Sequence, residues 1–289
     1  VTRQSLRASL RDAIQVLNDA AVPSPAADAE LIAAHVLGVE RTRLGLTPFF
    51  SDGQAEDFDN LIARRARREP LQYITGVAAM GEIDLAVGPG VFIPRPETEL
   101  LLGWALASLE ACGAHPPRVI DLCSGTGALA LAIAHARPDA DVHAIEIDPV
   151  ALEWLQRNRQ LREAAGDSAI TVYEGDVTDS SLLKEYTGGI DVIVANPPYV
   201  PSAASVTAEV ADFEPPVAVF AGPDGLDVIR PMVANVARLL RSGGAVGIEH
   251  DDSNGAGVRA ILEGHGGFSD VVEHPDLAGK PRFVTAMRI

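Results

Sequence analysis

The chain of 289 residues is poor in cysteine, tryptophan and methionine, with 2, 2 and 3 copies. Two cysteines, Cys112 and Cys123, cannot build a disulfide framework, and neither lies in a zinc-type Cys/His grouping. No metal site is therefore expected. No stretch approaches the ~18 uncharged apolar residues that a membrane span needs. The first residues, VTRQSLRASLRDAIQ, lack the apolar centre of a signal peptide. A cytoplasmic protein without membrane partners is the expectation. Positive charge is also scarce: 23 Lys and Arg stand against 40 Asp and Glu, a net charge of −17. Residues 1–80 are nearly neutral, with nine Arg and ten acids, so the excess acid lies beyond them. Such a surface repels nucleic acid phosphates at long range and argues against direct nucleic acid binding. What remains is ordinary globular composition, 47% hydrophobic and 22% charged. A chain this long can bury a core without disulfides or metals.

Periodicity divides the chain. Leu6, Leu10, Ile14 and Leu17 form one helical stripe, and Ala29, Ile32, Ala33 and Val36 a second. A third helix is predicted from about 56 to 68, with Phe58, Leu61 and Ile62 inward, ended by Pro70. Arg64, Arg65, Arg67 and Arg68 form a basic run, whose ordinary reading is a solvated helix face; the alternative is a contact surface. Residues 1–75 are thus predicted as a helical bundle and 76–95 as a hairpin or linker. The catalytic part is expected over 96–289. There, strands at Val119–Leu122, Val142–Ile147, Ile170–Tyr173, Ile190–Ala195 and Ala245–Glu249 alternate with helices. This pattern predicts an α/β fold with a mostly parallel sheet, whose ligands bind beyond the strands' C-terminal ends.

The residues at those ends carry the chemistry. Asp121-Leu122-Cys123-Ser124-Gly125-Thr126-Gly127 forms a tight loop after the first strand, where a ligand can approach the backbone. Glu146 ends the second strand, at the place where an acid can hold the ribose of an adenosine. The loop also fits a dinucleotide fingerprint, G-x-G-x-x-A, so it leaves a nicotinamide enzyme open. Asn196-Pro197-Pro198-Tyr199 after the fourth strand discriminates between them. Two prolines offer carbonyls without N–H groups, and Asn196 adds an amide oxygen. Together they make acceptors for a substrate –NH2, and Tyr199 can stack on a planar amide. Held N–H bonds aim a weakly nucleophilic nitrogen at an electrophile, and a sulfonium methyl is the natural one. His143 is expected to be packed or exposed rather than catalytic. His250, Asp251 and Asp252 are candidates for a pocket mouth or an exposed loop. Arg95 either positions a ligand or supports the linker.

Asn196-Pro197-Pro198-Tyr199 resembles the signature of methyltransferases that act on exocyclic amino groups or planar amides. The chain as a whole resembles the HemK/PrmC family through Arg68-Glu69-Pro70-Leu71-Gln72-Tyr73-Ile74-Thr75-Gly76 and Phe92-Ile93-Pro94-Arg95-Pro96-Glu97-Thr98-Glu99. Phe213-Glu214-Pro215 and Gly222-Pro223-Asp224-Gly225-Leu226 add to it. The resemblance implies a class I, Rossmann-like, S-adenosylmethionine-dependent methyltransferase with a small N-terminal helical domain. It implies N5-methylation of the glutamine in a Gly-Gly-Gln loop of class 1 peptide chain release factors, which tunes translation termination; S-adenosyl-L-homocysteine is the product. The alternative is an adenine-N6 DNA methyltransferase. Cofactor contacts are then expected from Asp121, Cys123, Ser124, Gly125, Thr126, Gly127, Glu146, Asp176, Val177 and Asn196. Substrate contacts and catalysis are expected from Asn196, Pro197, Pro198 and Tyr199, in a monomer. Cys123 stands where the family usually has glycine.

Overall fold

The computed structural model describes residues 4–113 and 116–289. Its chain packs into two compact units: the described part of residues 1–77 with Thr207–Phe213, and residues 78–206 with Glu214–Ile289. No helix among the described residues is long and apolar enough to cross a membrane.

The first unit is helical, with helices Leu6–Asp19, Pro25–Leu37, Asp52–Ala66 and Leu71–Thr75. Leu17, Ile32, Ala33 and Phe58 are wholly buried and form its core. The third helix starts four residues earlier than the apolar stripe suggests. Ser51 and Gln54 form a reciprocal capping box that satisfies two N-terminal donors.

The reading of the arginine run as a solvated face is overturned at Arg65 and Arg68. The Arg65 side chain is only 6% exposed. Its Nε donates to Asp28 Oδ2 at 2.7 Å, its Nη1 to the Glu69 carbonyl at 3.0 Å and its Nη2 to Glu209 Oε1 at 2.9 Å. Arg68 donates to both Glu209 oxygens, at 2.8 and 2.7 Å. A guanidinium offers five donors, so a ring of acceptors can carry it into the interior. The helix Ala208–Phe213 brings Glu209, 141 positions from Arg68, and local sequence carries no sign of that partner.

The second unit is built on a seven-stranded sheet among the described residues. Its strands are β1 (Arg118–Leu122), β2 (Asp141–Glu146), β3 (Thr171–Glu174), β4 (Ile190–Ala195), β5 (Leu240–Glu249), β6 (Phe268–Pro275) and β7 (Pro281–Arg288). Their order is β3-β2-β1-β4-β5-β7-β6. The first five are parallel, and β7 runs antiparallel to both β5 and β6. This is the class I methyltransferase fold expected from the sequence. All six residues of β4 are buried, as a strand covered on both faces requires. Side chains alternate between two cores. Val119, Val192 and Val194 pack with the helices Thr98–Glu110 and Ala128–Ala136 on one face. Ile120, Leu122, Ile193 and Ala195 pack with Ile229–Leu239 and Gly255–His265 on the other. The strand order reverses at β1, between β2 and β4. A crevice for a ligand opens at such a point, beyond the strands' C-terminal ends.

Candidate functional site

A cavity of about 310 Å³ lies at that crevice. Three segments predicted from the sequence meet on its wall: Asp121 near the end of β1 with Cys123–Thr126 after it, Glu146 at the end of β2, and Asn196 with Pro198 after β4. Asp176 and Val177, which follow β3, complete the expected set. Gly127, Pro197 and Tyr199 do not line the cavity. Gly127 instead serves the turn: its φ is +83°, and a Cβ there would collide with Leu155. Glycine meets both demands, and the helix Ala128–Ala136 starts directly after it.

Cys123 also has a left-handed backbone, with φ +62°. Such a conformation costs a β-carbon about 1–2 kcal/mol, which fits glycine better than cysteine. Burial, with the charges of Glu146, Asp121 and Asp176, pushes its thiol well above the ordinary range. The thiol stays protonated, so it is no nucleophile.

Glu146 is fixed by backbone donors. Its Oε2 accepts from Gly125 N at 2.7 Å, and its Oε1 accepts from Ile147 N and Asp148 N at 2.8 Å each. A carboxylate has about four acceptor positions, so about one remains for a ligand. Burial raises its pKa, and the three backbone donors oppose that rise. Asp121 is more perturbed. Its Oδ2 accepts from Ala130 N at 3.1 Å, while Oδ1 is buried without a hydrogen-bond partner. Burial pushes its pKa up to about 7. Asp176 Oδ1 accepts from Thr178 N and its hydroxyl, which closes the turn after β3. Asn235 holds that turn from beneath through the carbonyls of Val177 and Asp179.

The Asn196–Tyr199 segment is held from behind. Asn196 Nδ2 donates to Thr98 Oγ1 at 3.2 Å. The Tyr199 hydroxyl donates to Glu249 Oε1 at 2.9 Å, and Asn254 Nδ2 donates to the Tyr199 carbonyl at 2.9 Å. Tyr199 is thus anchored by its hydroxyl instead of standing free in the cavity to stack. Gly225 lets the chain pass behind that carbonyl: its φ is +75°, and a Cβ would strike the Tyr199 oxygen.

Arg95 supports the linker. It pairs with the buried carboxylate of Glu214 and lies 4.6 Å over the Phe92 ring. Glu214 also accepts from Ile93 N at 3.3 Å, so Phe92 and Pro94 reach the cavity wall on a braced loop. His143 is buried between Tyr173 and Tyr186. The reading of His250 as lining a pocket mouth or an exposed loop is incorrect. It is wholly buried, its Nδ1 lies 2.9 Å from the Asp251 carbonyl, and it does not line the cavity. The β6–β7 hairpin covers it, with Glu273 4.0 Å away. Sequence reasoning assigned no role to Thr98 or Glu249. An acid ending a strand of a parallel sheet was the available signal for Glu249.

Residues 8–76 match the family described as PrmC N-terminal domain, and residues 98–256 match the methyltransferase small domain. A release factor glutamine methyltransferase of Mycolicibacterium smegmatis is 49% identical over 98% of each chain. One of Corynebacterium glutamicum is 48% identical over 99% of each. Among solved structures, a methyltransferase from Pyrococcus furiosus superposes with a TM-score of 0.53 at 17% identity. It covers 78% of this chain and 98% of its own, and this likeness supports the fold.

Proposed function

We infer that this chain, which belongs to the release factor glutamine methyltransferase family, transfers a methyl group from S-adenosylmethionine to the N5 amide nitrogen of a release factor glutamine. The observation that carries this reading is the meeting of Asn196 and Pro198 with Asp121, Ser124–Thr126 and Glu146 around one cavity. The donor set suits an adenosyl cation. Asp121 Oδ1 is a buried acceptor with no protein partner, and Glu146 keeps an acceptor position. When bound, the cofactor supplies an electrophilic methyl group. Glu146 would hold the ribose, and Val177 would give the base an apolar wall.

The remaining work falls to this chain. A glutamine amide nitrogen is a poor nucleophile because its lone pair is delocalised into the carbonyl. Asn196 Oδ1 and a backbone carbonyl of the segment that follows it would accept its two N–H bonds and orient the lone pair. Such orientation contributes several kcal/mol when the acceptors are fixed beforehand. The direct test incubates the enzyme and S-adenosylmethionine with an intact release factor, with duplex DNA, or with neither. Methyl transfer to the release factor alone is expected; transfer to DNA alone would overturn the reading.

Two further results are expected. Replacing Glu146 by Ala should weaken S-adenosylmethionine binding about tenfold or more, through loss of a charge-assisted bond and of the loop's backbone anchor. Calorimetry showing wild-type affinity would remove Glu146 from the site. Asp121 should make binding pH-dependent. Without ligand it is half-protonated near pH 7, and a cation in the cavity favours its ionised form. Binding therefore expels a proton, and affinity should rise with pH below about 7, by up to about tenfold per unit. In Asp121→Asn that slope should vanish; an unchanged slope would place its origin in another group.

A further inference from the structure

We propose that Asn158 is a positioning residue for the cofactor: its side-chain amide fixes one peptide group of the glycine loop and ties that loop to the chain at Ala86, which leads into another part of the cavity wall. The proposal rests on the reading of the cavity as the S-adenosylmethionine site, and its test separates the two.

Asn158 lies inside the helix Pro149–Ala164 and is 1% exposed. Asparagine is a weak helix former, and a buried amide is costly unless its polar atoms are paired. Here both ends are paired. Oδ1 accepts from Ala86 N at 2.8 Å. Nδ2 donates to the Ala86 carbonyl and to the Thr126 carbonyl, at 3.0 Å each. Two carbonyls at one end and an N–H at the other leave the amide a single orientation. The helix needs none of these bonds for itself, and an apolar side chain would serve packing alone. The bonds instead join three segments that are distant in sequence.

The Thr126 carbonyl belongs to the same planar peptide as Gly127 N. Gly127 N donates to the Ser124 carbonyl at 2.7 Å, the bond that closes the glycine loop. Asn158 thus holds one end of that peptide and Ser124 the other. Glu146 holds the loop separately, through Gly125 N. The second partner, Ala86, ends the strand Ile83–Ala86 and does not line the cavity. From there the chain runs back along the same helix. A Cβ on Gly88 would lie 2.7 Å from the Trp154 ring, and one on Gly90 2.7 Å from Val150 Cγ1. Positions 150, 154 and 158 share one helix face, so residues 86–90 lie against it in the antiparallel sense. The two glycines leave no side chain to hold the strands of this contact apart. This track delivers Gly90, Phe92 and Pro94 to the cavity wall, where Ser124–Thr126 also stand. One amide therefore sets the loop and the start of this wall in register with each other.

The test uses Asn158→Ala and Asn158→Asp, with Leu262→Ala as a control. Asn158→Asp keeps an acceptor for Ala86 N but loses both donors. Leu262 is wholly buried on the helix Gly255–His265 and does not line the cavity, so its truncation costs stability alone. S-adenosylmethionine affinity is measured by calorimetry, kcat and KM with an intact release factor, and stability by urea unfolding. Both Asn158 variants should raise the cofactor Kd and KM about tenfold, with kcat at saturating cofactor within about twofold of wild type. Leu262→Ala should lose stability with the cofactor Kd within about twofold of wild type. A further measurement needs no variant. Amide hydrogen exchange at Ala86 should slow when S-adenosylmethionine binds the wild-type chain, because the restraint passes through Asn158. Wild-type cofactor affinity in both Asn158 variants would overturn the proposal. So would an equal weakening in Leu262→Ala, or exchange at Ala86 that the cofactor leaves unchanged. A wild-type chain that does not bind S-adenosylmethionine would refute the cofactor reading instead.

Discussion

Asn196→Ala is expected to lower kcat at least about a hundredfold, a loss of roughly 2.7 kcal/mol of transition-state stabilisation. The physical reason is that orientation of the glutamine nitrogen depends on acceptors placed before the substrate arrives. Asn196 is half-buried, follows a fully buried strand, and is held at Thr98. Removing its amide leaves a substrate N–H facing no fixed acceptor. Affinity for S-adenosylmethionine should change little, because Asp121 and Glu146 remain on the cavity wall. The measurement is kcat with saturating cofactor beside a calorimetric Kd. A fall in affinity with kcat preserved would make Asn196 a cofactor residue and remove its role as acceptor.

The second large effect concerns stability. Arg65→Ala should destabilise the helical unit by about 3–5 kcal/mol, because two carboxylates inside it would lose a shared buried partner. Glu209 makes the effect depend on pH. Its bonds to Arg68 and Arg65 overcome burial and hold its pKa at about 2 instead of the usual 4.5. A depressed carboxylate stabilises the fold above its ordinary pKa, and that contribution is lost as pH falls from about 4.5 toward 2. Urea unfolding at pH 7 and at pH 3 checks both points. The variant's deficit should be larger at pH 7. An equal deficit at the two pH values would mean that lost packing of the arginine stem, not its charge, causes the change.

Much of this was legible in the sequence because the signals were local. Runs such as Ile190–Ala195 can only be buried strands, and the residues after them fall at one end of the sheet. The acceptor segment and the glycine loop announce themselves by composition. Features made by long-range contact were not legible. Arg65 reads as surface until Glu209 arrives from 144 positions away. Tyr199 reads as a free stacking ring until Glu249, 50 positions on, accepts its hydroxyl. His250 follows a strand like the site residues do, but the β6–β7 hairpin closes over it, and no local pattern announces that cover. Cys123 departs from the glycine expected in its turn, and the turn keeps its left-handed shape all the same.

The most direct measurement is the site of modification on an intact release factor treated with this enzyme and S-adenosylmethionine. Peptide mass mapping should find one added methyl group on the side-chain nitrogen of the glutamine in the Gly-Gly-Gln loop. Asn196→Ala should reduce it about a hundredfold at equal time. A methyl group on any other residue, or on the same glutamine at an undiminished rate in that variant, would contradict the account.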